Sequence, residues 1–282
     1  MSESADEIRR KLLKPAINES FNLITDILTA TYSLPPFTVV KKLDSYDDEN
    51  FLINVPSTNT NYLCKVHNGV ESDVSGIIDY QNSIMLHLNA TTGITTTNPL
   101  PTNTKDLSSK HSLPVQSTEH SPYPLTVRLL TYIEGTPMAY KSVTPALLNS
   151  AGQYLANIDK SLDTFSHPNA DRFHIWCQEN TAELTPFLQY IQTDSRRALV
   201  KSVLDRFTTD VLPAASEFRK GILQSDFNDA NIIIGNNDKI AGVIDFGDSV
   251  RRYVHNAQIH PCASSMLVFT KFLGRTRCRR PM

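Results

Sequence analysis

The chain has 282 residues, of which 40% are hydrophobic and 20% charged, enough apolar material for a sizeable core in one or two domains. Its 27 lysines and arginines against 29 aspartates and glutamates leave a net charge of −2, which gives no support to a nucleic-acid or membrane partner. The first ten residues are polar with no apolar stretch behind them, and no run reaches the about 18 apolar residues of a membrane span, so the chain reads as cytoplasmic.

Taken in order, residues 19–31 carry a helical pattern with Phe21, Ile24, Ile27 and Leu28 on one face, stopped by Pro35-Pro36. Strands are predicted over 38–43, 51–55 and 61–67, the last containing Lys65. The polar turn from Ser45 to Asn50 joins the first two. An amphipathic helix follows over 77–88. Residues 89–124 are crowded with Thr, Ser, Asn and Pro and read as a long mobile loop, with one short strand near 113–116. A strand over 125–132 leads to a break at Glu134-Gly135-Thr136-Pro137, read as a hinge.

Beyond it the pattern turns helical. Thr144 is a good N-cap with Pro145 at the first helical position, and apolar residues run at helical spacing to Leu162. Two more helices are predicted over 181–191 and 195–212. Trp176 reads as packing between lobes. The organisation expected is α+β and two-lobed: a strand-rich first lobe over 14–133, a helical second lobe over 134–254, and a tail over 255–282. That tail is basic, with Lys271, Arg275, Arg277, Arg279 and Arg280.

The chemistry concentrates in Gln224-Ser225-Asp226-Phe227-Asn228-Asp229-Ala230-Asn231 and in Ile244-Asp245-Phe246-Gly247-Asp248. Between them the β-branched run Ile232-Ile233-Ile234 and the turn signal Gly235-Asn236-Asn237-Asp238 predict a hairpin. Asp226, Asn231 and Asp245 have the spacing of a phosphoryl-transfer site. Asp226 can orient and deprotonate an attacking hydroxyl, while Asn231 and Asp245 at facing ends of the hairpin can hold Mg²⁺. Two have a plainer reading: Asp226 as a turn residue, Asn231 as a bond to its loop backbone. Asp248 reads equally as a further ligand or a helix cap. Lys65 suits the α- and β-phosphates of a nucleotide, held by a carboxylate of the next helix, for which Asp79 is the candidate; an outward-facing strand lysine is the alternative.

Several other chemistries are excluded. There is no G-x-x-x-x-G-K-[ST] and no G-x-G-x-x-G, so the Ser45–Asn50 turn would have to cover phosphates with backbone N–H groups. The eight histidines form no H-E-x-x-H, and no G-x-S-x-G occurs. The four cysteines, Cys64, Cys177, Cys262 and Cys278, form no C-x-x-C, which argues against zinc and for a reducing compartment.

These two motifs resemble the H-G-D-x-x-x-x-N loop and the I-D-x-x-D segment of the aminoglycoside phosphotransferase and choline kinase-like family. Within that family the chain is similar to the hydroxylysine kinases. The likeness is carried by residues 43–51, 127–135 with Pro137, 155–162 and 226–234, in the same order. It implies a protein-kinase-like fold and phosphorylation of the side-chain hydroxyl of 5-hydroxy-L-lysine, or a similar amino alcohol, with GTP (or ATP) as donor. It makes Asp226 the base, Asn231 and Asp245 the Mg²⁺ ligands, and Lys65 with Asp79 the phosphate pair, Asp79 standing where the family has Glu. It sets the guanine against the backbone from Leu130 to Tyr132. The chain departs from the pattern at Gln224-Ser225, where the family has His-Gly, and the likeness fades after Val254. A non-catalytic pseudokinase-like protein that binds a nucleotide or a partner is the alternative.

Overall fold

The computed structural model describes residues 5–18, 21–174 and 177–254; Trp176 and the basic tail lie outside the described residues. Two compact units divide at 134/135. In the first, β1 (Thr38–Leu43), β2 (Glu49–Val55), β3 (Thr60–Val66), β4 (Ser109–Leu113) and β5 (Tyr123–Thr131) form one antiparallel sheet in the order β1-β2-β3-β5-β4. Strict alternation in β2 puts Phe51, Ile53 and Val55 on the buried face, as a central strand with one face on a core requires. Onto that face pack Ile24, Ile27 and Leu28 of α2 (Asn22–Thr31), with Tyr32 just beyond it.

Helices α1 (Ala5–Leu12), α3 (Gly69–Asp73) and α4 (Ile77–Asn89) complete the unit, and α4 buries Ile77, Tyr80, Ile84 and Leu88 along one stripe. Asn68 caps α3, its side chain accepting the Glu71 N–H at 3.1 Å.

The segment predicted as a long loop, 89–124, is instead built into the sheet. The Asn89 side-chain amide donates to Thr96 Oγ1 at 2.8 Å, and the Leu100 N–H donates to the Leu129 carbonyl at 2.8 Å. The Asn103 N–H reaches the Thr31 carbonyl at 2.8 Å, and β4 pairs along β5 as an edge strand that begins ahead of the predicted 113–116. Short polar side chains made this stretch look unstructured. Its partners are distant in sequence, so no local pattern announces them.

In the second unit, β6 (Thr136–Pro137), β8 (Ile232–Ile234) and β9 (Ile240–Val243) form one small sheet, and β7 (Arg219–Leu223) pairs with β10 (Val250–Val254) in another. Thr144 caps α5 (Pro145–Leu162) as expected, accepting the Leu147 N–H at 3.1 Å, and the helix buries Leu147, Ala151, Leu155, Ile158 and Leu162. The helix predicted over 181–191 is a 3₁₀ stretch, Gln178–Tyr190, with Pro186 inside it, where a missing N–H and a ring clash oppose the α form. The predicted 195–212 helix ends at Arg206 as α6 (Asp194–Arg206). It passes through a π turn, Phe207–Val211, into a 3₁₀ stretch, Leu212–Glu217, with Pro213 in its first turn.

Gly135 holds a φ of +152°, and a Cβ there would stand 2.5 Å from the carbonyl oxygen of Ile234. The β6–β8 pairing brings the two backbones this close, so only glycine fits. Among the described residues no helix is long and apolar enough to cross a membrane.

Candidate active site

The site in the second unit grows from the hairpin. β7 delivers Gln224 into the interior at 1% exposure, and the chain then turns sharply through Ser225, whose φ of +70° lies in the left-handed region. The Asp226 N–H donates to Gln224 Oε1 at 2.8 Å, which fixes the start of the loop. The loop then closes on itself. Asn228 Nδ2 donates to Asp226 Oδ1 at 2.7 Å, and Asn231 Nδ2 donates to Asp226 Oδ2 at 2.7 Å and to its carbonyl at 2.9 Å. Both carboxylate oxygens of Asp226 therefore have an amide donor, and the acid is held in one orientation.

Asp245 joins this loop through the backbone. The Ile244 N–H donates to the Asn231 carbonyl at 2.9 Å, and Gln224 Nε2 donates to the Asp245 carbonyl at 2.6 Å. Asp245 itself has φ +62° and accepts the Gly247 N–H on Oδ1 at 3.1 Å, an Asx-type turn that holds an exposed carboxylate still. Asp226, Asn231 and Asp245, predicted from spacing, thus share one hydrogen-bonded loop system.

Burial, together with the charges of Asp248 and Asp245, raises the Asp226 carboxyl above its ordinary value, against the opposing bonds from Asn228 and Asn231. Asp248 goes the other way. Burial pushes it up, but its bond to His174, 3.0 Å from Nε2 to Oδ1, and the charges of His174, Arg172 and Arg252 together outweigh that and hold it below the ordinary range. So Asp248, read from sequence as ligand or cap, is the partner of His174.

The donor set fits a divalent cation. Asn231 spends its amide nitrogen on Asp226, so Oδ1 is the atom left for a metal, and the carboxylate repulsion that lifts Asp226 is what a cation would cancel.

Sequence reasoning set Gln224 where the family has a His that props the loop, a hydrogen bond that Gln could replace, but did not identify the Asp245 carbonyl as its partner, and it passed over His174 as the partner of Asp248. A polar residue ahead of Asp226, entering from a buried strand, was the available signal for the first. His174 lies 74 positions from Asp248 in the chain, and no local signal existed.

The remaining candidates lie in the first unit. Lys65 on β3 sits directly across from Asn50 on β2, and the buried Asn50 Oδ1 has no hydrogen-bond partner in the protein. That orphaned oxygen beside a lysine suits a site built to receive a ligand. The sequence points to Asp79 as the carboxylate for Lys65. The structure instead sets Asp48 Oδ2 at 2.9 Å from Lys65 Nζ, and Asp79 is an exposed residue in the first turn of α4. The reason is register: the β2–β3 pairing places the end of the Ser45–Asn50 turn over Lys65.

Ser45 is half-buried in that turn. Leu130 is buried on β5 opposite Leu63, and Tyr132 follows half-buried, its phenol pushed up by burial and by Glu134. Neighbouring backbone donors are engaged: the Leu129 N–H donates to Tyr32 Oη at 3.1 Å, and the Thr131 N–H to the Asn98 carbonyl at 2.9 Å.

A model of the phosphotransferase enzyme family matches residues 41–255. A hydroxylysine kinase of Xenopus laevis is 31% identical over 253 residues, and one of Danio rerio 31% identical over 240, aligning 83% and 82% of this chain with 66% of each relative. The chain therefore spans about two thirds of the length of the curated relatives it matches.

Among solved structures, a microcompartment-associated aminopropanol kinase superposes with a TM-score of 0.64 at 17% identity, over 82% of this chain and 70% of that one. An amicoumacin kinase in complex with AMP-PNP, Ca²⁺ and Ami gives 0.58 at 14% identity, over 88% and 68%. At such identities the likeness is one of fold, and the fold is the α+β, protein-kinase-like one expected.

Proposed function

The chain belongs to the phosphotransferase enzyme family, and we propose that it transfers the γ-phosphoryl group of GTP (or ATP) to the side-chain hydroxyl of 5-hydroxy-L-lysine or a similar amino alcohol. The observation that carries this reading is Asp226: a carboxylate of raised basicity with an amide donor on each oxygen, next to Asn231 and tied to Asp245. Such a group suits the orientation of an acceptor hydroxyl and the acceptance of its proton as the new P–O bond forms and the nucleoside diphosphate leaves. Asn231 and Asp245 are the residues that would hold Mg²⁺, which when bound spreads the charge of the phosphoryl oxygens. Lys65 is the candidate for the α- and β-phosphates, under the turn from Ser45 to Asn50, with Leu130 and Tyr132 proposed against the base.

The acceptor rests on the relatives: both compared above are named hydroxylysine kinases, and the aminopropanol kinase is likewise named for an amino alcohol. The amicoumacin kinase, solved with AMP-PNP and Ca²⁺, supports a nucleoside triphosphate with a divalent cation. The choice of GTP rests on the family resemblance.

The test is release of nucleoside diphosphate by the full chain with Mg²⁺ and GTP or ATP, with and without 5-hydroxylysine, beside Asp226→Ala. We expect hydroxylysine-dependent turnover that falls by about 10²–10⁴ in the variant. Tight binding of Mg²⁺·nucleotide with no acceptor-dependent turnover would replace this reading with that of a non-catalytic nucleotide-binding protein.

A further inference from the structure

We infer that Asp48, at the end of the Ser45–Asn50 turn, is the positioning residue that holds Lys65 for the nucleotide phosphates. The inference rests on the reading of Lys65 as the phosphate lysine. Asp48 is 5% exposed, and both of its oxygens are committed. Oδ1 accepts the Asn68 N–H at 2.8 Å and Asn68 Nδ2 at 3.2 Å; Oδ2 stands 2.9 Å from Lys65 Nζ. Asn68 is itself fixed, because it is fully buried and its side-chain oxygen caps α3. The carboxylate is therefore anchored by the fold on one oxygen and presents the other to the lysine.

The surroundings separate Asp48 from the second acid nearby. Glu71 Oε2 takes His67 Nδ1 at 2.8 Å, whereas His67 Nδ1 is 3.6 Å from Asp48 Oδ2. Asp48, His67 and Glu71 are close enough together to suggest a metal site. The Lys65 ammonium already stands against Asp48, however, and supplies the positive charge this pair of acids needs. Burial pushes the Asp48 carboxyl up, but Lys65, His67 and the Asn68 N–H outweigh it and hold it well below the ordinary range, so the acid stays charged.

The consequence is mechanical. A lysine stem is long and flexible, and the Asp48 contact fixes where its ammonium stands. Because the anchoring acid belongs to the turn proposed to cover the phosphates, that turn and the lysine beneath it form one unit. Disturbing the turn displaces the ammonium.

A double-mutant cycle on the full chain tests this, with Mg²⁺·GTP and Mg²⁺·ATP binding and the nucleotide KM as readouts. Lys65→Met and Asp48→Asn should each weaken nucleotide binding about tenfold, with the hydroxylysine KM unchanged. In the Lys65→Met background, Asp48→Asn should change binding by less than about twofold. Thermal melts supply the second readout, because each single variant leaves a buried charge alone while the double variant removes both. The double should melt above either single, and this comparison holds even if a single variant folds poorly. Effects that multiply in the double variant, or Asp48→Asn binding nucleotide as wild type does while Lys65→Met does not, would overturn the role of Asp48. Unimpaired binding by Lys65→Met would instead remove Lys65 from the nucleotide site, and the inference with it.

Discussion

The side-chain amide of Gln224 donates to the backbone carbonyl of Asp245 at 2.6 Å. The other end of the same amide accepts the Asp226 N–H at 2.8 Å, so one buried side chain sets the spacing between the candidate base and the candidate metal ligand. The family places His here; Gln supplies a donor and an acceptor without titrating. Gln224→Glu keeps the acceptor and loses the donor, and Gln224→Ala loses both. We expect either to lower Mg²⁺ affinity and turnover by about 10–100-fold, as loss of an outer-layer support does. Titration of Mg²⁺ against nucleotide binding reads this directly, and wild-type affinity in both variants would show that the bridge is dispensable.

Asp245→Ala should cost at least about tenfold in Mg²⁺-dependent nucleotide binding while the protein still folds, since the residue is exposed and holding Ala at a φ of +62° costs only about 1–2 kcal/mol. Comparing nucleotide binding with Mg²⁺ and with EDTA isolates the metal term. An unchanged Mg²⁺ dependence removes Asp245 from the site.

Ser225 tests the backbone of the catalytic loop. At φ +70° a β-branched side chain is crowded, so Ser225→Val should destabilise by about 1–2 kcal/mol. Ser225→Gly should stay within about 0.5 kcal/mol of wild type. It gains the left-handed conformation at no cost but loses chain stiffness and the bond from Ser225 Oγ to the Leu223 carbonyl. Urea unfolding of the two variants measures the difference. Equal stability for Val and Gly would contradict the strained turn.

Gly135→Ala meets the Ile234 carbonyl and a φ of +152° together. A loss of about 2–4 kcal/mol is expected in chemical denaturation, because the backbone itself must move. A loss under about 0.5 kcal/mol would mean that β6 can shift away from β8 freely.

Asp159 carries a pH prediction. Burial, then the neighbouring Asp163, pushes its carboxyl up to about 6 from 3.8, with Arg219 opposing, and Asp159 Oδ1 is buried without a partner. The folded protein therefore binds this proton more tightly than the unfolded chain does. The stability it brings is fully present below about pH 3.8 and is lost as pH rises through about 6. Asp159→Asn should be the more stable protein at pH 8, by about 1–2 kcal/mol once solvent at a half-buried site is allowed for, and the gap should close toward pH 4. A pH-independent difference between the two would assign the effect to packing.

The local elements were legible because their signals are local. Ile232–Ile234, the Gly235 turn, the Thr144–Pro145 helix start and the limits of β1 are all written in short-range pattern, and so was the spacing of Asp226, Asn231 and Asp245. What the sequence by itself determined, then, was the set of side chains on one hairpin, since a hairpin fixes its own register. Only the tertiary structure decided that Asp48 stands against Lys65, that Gln224 joins Asp226 to Asp245, that His174 takes Asp248, and that residues 89–124 thread into the sheet. Each of these joins groups far apart in the chain or set by the pairing of two strands. A contact of that kind is selected by burial and hydrogen-bond satisfaction across the whole unit, and neither leaves a periodic trace in the sequence around it.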